Sequence, residues 1–168
     1  TYNITADNTG ATDVTGAINS EIAGKSGYII NFPAGTYKIT EPISLIGLNN
    51  VIFEGNGSTL NFDDDPPALS EDGSWFRTRT VDHPGADSTH ITIRNFNVTG
   101  TNTSGWFNGS EHAHVLHIYG GSYFELDNIT GSGIWGDLAM VTANSQYLYV
   151  HDCDVDGVGR NGVSVVYG

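Results

Sequence analysis

A single cysteine, Cys153, in 168 residues excludes an intrachain disulfide framework. Lysine and arginine together number only 6, against 19 aspartates and glutamates, and the net charge is −13. That balance speaks against a nucleic-acid partner held through a basic surface. No apolar run approaches the ~20 residues of a membrane span. Charged residues of all kinds make up 15%, low for a helical protein, whereas glycine reaches 22 residues among many Asn, Thr and Ser. The composition favours an all-β domain with frequent tight turns. The length is that of one domain with a sizeable core.

What is present is a repeated phrase, a short alternating apolar run followed by a small polar residue and a glycine. It occurs at 90–100 and 147–157, in contracted form at 123–133, and more loosely from Asn50. Aligning Val51, Ile91, Phe124 and Leu148 gives offsets of 40, 33 and 24 residues. The last is one coil of a stacked solenoid, and the longer two are a coil with an inserted loop. A second rung, Val115, Leu138 and Val163, gives offsets of 23 and 25. The sequence therefore predicts a parallel β-helix, one domain over 1–168, with inserted loops at 63–89 and 101–111. The first insertion carries Trp75, Phe76, Arg77 and Arg79, the second Trp106 and Phe107. Val14, Ala17, Ile18 and Ile22 share a helical face, which predicts a short N-terminal capping helix over 13–23 with Asp13 as N-cap. The run from Val163 to Val166 has no cap after it. The expectation is that the native protein continues, or that the end is covered by a partner or by a homotrimer.

The order Asp7, Gly10-Ala11, Asp13, Ala17-Ile18, then Phe32-Pro33-Ala34-Gly35-Thr36-Tyr37 resembles the N-terminal signature of the pectate-lyase-like superfamily. The resemblance implies a right-handed parallel β-helix and a location outside the cell, secreted or on a virion tail. Its members include polysaccharide lyases, alginate epimerases, polygalacturonase-type hydrolases and phage tailspikes. The stretch from Gly131 to Asp137 resembles part of an alginate epimerase catalytic module, with Asp137 at the place of the catalytic Asp. Leu138 and Ala139 stand where that family has Pro-His. The Asn-Thr-Asp and Gly-His-Gly phrases of polygalacturonase-type hydrolases do not occur.

The second rung also aligns its flanking residues. His114 stacks beside Asp137, and His112, Trp135 and Arg160 form the column two positions earlier. Rungs lie ~4.8 Å apart, so these groups are expected to converge on one outer patch. Arg160 would hold a uronate carboxylate, Trp135 or Trp106 would stack on a sugar, and His114 with Asp137 would form an acid/base pair. His112 would complete the substrate-binding set, while His117 reads as packed within its strand. The bland alternative has His114 and Asp137 satisfying each other and Arg160 pairing with an acidic neighbour.

Calcium is the one cofactor the sequence suggests. Asp152, Asp154 and Asp156 match the first half of a calcium loop, although Val163 stands where a bidentate Glu belongs. The same repeat aligns Asp152 with Asn95 and Asn128, a polar ladder at a coil corner. Three readings stay open: a lyase- or epimerase-like enzyme acting on an acidic polysaccharide; a non-catalytic tailspike, tail fibre or adhesin binding a cell-surface glycan; and a purely structural segment.

Overall fold

The computed structural model describes residues 1–62, 74–78, 88–106 and 112–166. Among them the chain is mostly strand, with one helix and two sheets in which every pairing is parallel. The first sheet runs β1 (Tyr2–Asn3), β3 (Ile29–Asn31), β6 (Asn49–Phe62), β8 (Thr89–Thr99), β10 (Ser122–Ser132), β12 (Gln146–His151). It also takes in β4 (Thr36–Ile39) beside β6, β2 (Thr9–Asp13) beside β4, and β13 (Asp154–Asp156) beside β10. The second sheet is β5 (Ile43–Ser44), β7 (Phe76–Arg77), β9 (Leu116–Tyr119), β11 (Ala139–Thr142) and β14 (Val163–Val166). From β5 to β11 consecutive strands alternate between the two sheets, so each excursion of the chain lays one strand on each.

The alternation read in the sequence is what builds this. Val51, Phe53, Ile91, Ile93, Phe124 and Leu126 point inward and are buried, while their neighbours face out. Register follows the first predicted rung residue for residue: Val51 lies opposite Ile91, Ile91 opposite Phe124, and Phe124 opposite Leu148. Inside, Phe32, Phe96 and Phe76 form a chain of rings with centroids 5.2 and 6.4 Å apart.

Two columns of left-handed residues bend the long strands. One is Asn50, His90, Tyr123 and Tyr147, with φ of 54°, 55°, 62° and 58°; the other includes Asn95, Asn128 and Asp152 at 60°, 52° and 53°. In the second column Asn128 Nδ2 donates to Asn95 Oδ1 at 2.8 Å, the polar ladder the repeat suggested. Asparagine and histidine are common in this conformation; tyrosine is not, at about 1–2 kcal/mol each.

Three differences from the sequence reading matter below. The second rung pairs Leu116 with Ala139 and Ala139 with Val163, so Val163 sits one position away from its expected place beside Leu138. Three of the four residues of β14 are valines, and such a run does not declare which of its faces is inner. Residues 74–78, expected within an inserted loop, contain strand β7, with Trp75 and Phe76 buried. Arg79 and Phe107 fall outside the described residues. The helix α1 spans Thr15–Ile22 and its N-cap is Val14, without a side-chain cap. Asp13 instead accepts the Thr15 N–H at 3.1 Å and the Thr15 hydroxyl at 2.7 Å. The helix places Ile18 and Ile22 in the core, and Asn19 bonds the Pro42 carbonyl and the Ser44 N–H at the outer edge of the second sheet.

Candidate functional site

The structure brings His114, Asp137 and Arg160 together, but inside the fold. His114 and Asp137 are fully buried, their side chains enclosed where an outer patch was expected. His114 Nδ1 accepts the backbone N–H of Asp137 at 2.9 Å and lies 3.3 Å from its Oδ2. Asp137 Oδ1 accepts the Asn161 N–H at 2.8 Å and sits 4.0 Å from Arg160 Nε. Arg160 thus meets its acidic neighbour Asp137, with its side chain 24% exposed. The one-position shift of β14 is the reason: Asn161, not Gly162, comes beside Asp137, and Gly159, not Arg160, follows Trp135 in its column.

Burial drives the His114 pKa down to about 3, with the charges of His117, Arg160 and His112 adding to the effect. The imidazole is neutral at ordinary pH. Its Nε2 and the Oδ2 of Asp137 have no hydrogen-bond partner among the described residues. An enclosed neutral base and an enclosed carboxylate can organise the β9–β11–β14 turn region; they do not touch a polymer lying on the surface.

The aromatic candidates divide. Trp135 is half-buried and its Nε1 donates to the Thr101 hydroxyl at 2.8 Å, which ties it down across two excursions of the chain. Trp106 is 64% exposed, and its carbonyl accepts bonds from Asn102 Nδ2 and the Ser104 hydroxyl. His112 is half-buried, its ring 6.4 Å from that of His114. His117 is packed in its strand as expected, bonded to the Thr142 hydroxyl at 3.1 Å.

The three metal candidates do not gather. Asp154 and Asp156 lie in extended β13 opposite Thr130 and Ser132, whereas Asp152 clusters with Asp127 and His151. That cluster is organised around an imidazole. His151 Nε2 donates to Glu125 at 3.0 Å, and Nδ1 is 3.0 Å from Asp152 and 3.4 Å from Asp127. The bond to Glu125, then that to Asp152, raise the His151 pKa to about 9. The positive charge that calcium would bring to these carboxylates is supplied by the imidazolium, and an imidazole is a poor ligand for so hard a cation.

The His151 linkage has a definite sign. A folded pKa above the unfolded 6.5 means that stability from these bonds is complete below pH 6.5 and is lost as the pH rises through about 9. Thermal midpoints measured across that window are expected to fall slightly in the native protein and to fall less in His151→Gln. Identical slopes would remove the network from the account.

The sequence reading missed the outer face of the first sheet. His90, Tyr123 and Tyr147, the left-handed column, stack in parallel with centroids 4.5 and 4.6 Å apart and planes 18° and 14° apart. Beside this ridge a furrow of about 340 Å³ is lined by His90, Thr92, Tyr123, Glu125 and Tyr149, with Tyr149 56% exposed. The signal was present, since His90, Tyr123 and Tyr147 each precede an aligned rung residue. The left-handed bend that turns them outward was not legible there.

No family model and no curated protein matches the chain. Among solved structures it is similar to the crystal structure of PfbA, a surface adhesin of Streptococcus pneumoniae, at 15% identity and a TM-score of 0.36. The similarity covers 86% of this chain and 49% of that one, so the chain spans about half the length of the structure it matches. Among the described residues no helix is long and apolar enough to cross a membrane.

Proposed function

We propose that the chain is a right-handed parallel β-helix of the pectate-lyase-like kind, working outside the cell or on a virion as a glycan-binding surface without catalysis of its own. The right-handed sense is supported by the parallel pairing of β6, β8 and β10 within one sheet, since crossovers of that kind are right-handed in nearly all proteins. In that frame α1 closes the first coil.

The observation that carries the binding reading is the exposed aromatic ridge bordering a furrow on the outer face of the first sheet. Strained tyrosines held outward are costly, and such strain concentrates at functional positions. His90, Tyr123 and Tyr149 line the furrow and bring aromatic surface and phenol hydroxyls to it. Against catalysis stands the enclosure of His114 and Asp137, the two groups that would move a proton. On this reading His114, Asp137 and Arg160 position the turns, and Trp106 adds an exposed aromatic surface of its own.

Retention on immobilised polysaccharides tests the reading. Tyr149→Ala is expected to weaken retention about tenfold, ~1.4 kcal/mol, with the thermal midpoint little changed. Undiminished retention would place the binding surface elsewhere. Ultraviolet absorbance from unsaturated uronate product would overturn the non-catalytic part.

A further inference from the structure

We infer that the outer face of the first sheet takes an uncharged polysaccharide and not a polyuronate, an inference that rests on the glycan-binding reading above. A second furrow, of about 370 Å³, lies on this face and is lined by Glu54, Asn56, Asn95, Asn97, Asn128 and Thr130. Between it and the aromatic furrow runs a ridge of paired charges, Glu54 beside Arg94 and Asp127 beside His151 in register.

The charge on that ridge is already spoken for. Arg94 Nε donates to Glu54 Oε2 at 2.7 Å, and Asn95 Nδ2 donates to Glu54 Oε1 at 2.7 Å. His151 is engaged through both ring nitrogens by Glu125, Asp127 and Asp152, and the Thr92 hydroxyl donates to Glu125 Oε2 at 2.9 Å. Arg94 and His151 therefore face four carboxylates: Glu54, Glu125, Asp127 and Asp152. A uronate arriving here adds a fifth negative group to a face already short of positive charge. The net −13 of the chain repels polyanions at longer range as well. A cationic sugar is drawn to this excess of negative charge only through long-range attraction that salt screens, because each of the four carboxylates already meets a cationic side chain.

Away from that ridge the furrows are lined by uncharged groups, Asn56, Asn95, Asn97, Asn128 and Thr130 in the second and Thr92, Tyr123 and Tyr149 in the first. Their hydrogen bonds, such as Asn97 Nδ2 to Thr59 Oγ1 at 3.2 Å and Asn128 Nδ2 to Asn95 Oδ1 at 2.8 Å, leave each with further capacity to donate or accept. Each amide and hydroxyl can both donate and accept, as sugar hydroxyls do. The columns repeat once per strand, ~4.8 Å apart, so like groups recur along the stacking direction as they do along a polysaccharide.

The test is retention of the whole chain at roughly 0.15 M salt and again at roughly 1 M, on uncharged dextran, mannan, β-glucan and galactan, on polygalacturonate and alginate, and on chitosan. The expected result is retention on at least one uncharged polymer, little altered by salt, and none on the charged polymers at the higher salt. The double variant Asn97→Ala, Thr130→Ala is expected to weaken that retention about tenfold. Retention on a polyuronate or chitosan with none on uncharged polymers would overturn the inference and leave glycan binding standing. No retention on any polymer would overturn both. Unchanged affinity in a folded double variant would overturn the placement of the ligand.

Discussion

Acidification is expected to destabilise the fold through His114 by roughly 3–5 kcal/mol as the pH falls from 6.5 to about 3. In the folded chain this imidazole is fully buried and stays neutral to about pH 3, while in the unfolded chain it takes up a proton near 6.5. The unfolded state binds the additional proton in that window, so stability is complete above pH 6.5 and is lost as the pH drops. The groups facing His114 are His112, His117 and Arg160, whose charges oppose protonation, and Asp137 at 3.3 Å. Exposed carboxylates also titrate over the lower part of this range, so the measurement is a difference. Urea unfolding free energies of the native protein and of His114→Gln, followed across the window, are expected to diverge at neutral pH and converge on acidification. Parallel acid limbs in the two proteins would show that His114 is not the group responsible.

Phe96→Ala is expected to cost about 3–5 kcal/mol at every pH. Its ring is fully buried between those of Phe32 and Phe76. For a chain of this size that corresponds to a fall in thermal midpoint of roughly 10 °C. Tyr149→Ala, on the outer face, is the control and is expected to stay within about 0.5 kcal/mol. A Phe96→Ala midpoint no lower than that of the control would mean that the interior repacks freely. The parallel rungs pack too closely for that: a Cβ placed on Gly55 would run into the Phe96 ring.

The two substitutions also separate a structural residue from a binding one. The cluster around His114 and Asp137 is buried in the turns that precede β9 and β11, and the wall around Tyr149 is exposed on the first sheet, so stability should track the first and glycan retention the second.

Much of the architecture was legible in the residue order. The alternation at Val51, Ile91, Phe124 and Leu148 is local chemistry, and parallel stacking requires only that apolar residues recur at the same place in each coil. The Asn95–Asn128–Asp152 corner followed from the same alignment, because small polar side chains suit a left-handed bend. The sequence could also exclude a disulfide scaffold and show that acidic residues outnumber basic ones.

Tertiary structure decided the rest, and it decided the site. Whether a polar residue beside a strand faces core or solvent depends on a register that one residue can invert. The valines of β14 left that register open, and Asn161 came to stand beside Asp137 in place of Gly162. Burial then turned an expected catalytic pair into an enclosed one, since only the folded chain removes water from both groups at once. Left-handed backbone at His90, Tyr123 and Tyr147 turned ordinary aromatic residues into a continuous outer ridge. The sequence by itself determined which residues recur; the folded chain determined which of those recurrences faces a ligand, because exposure is a property of the stack and not of any single coil.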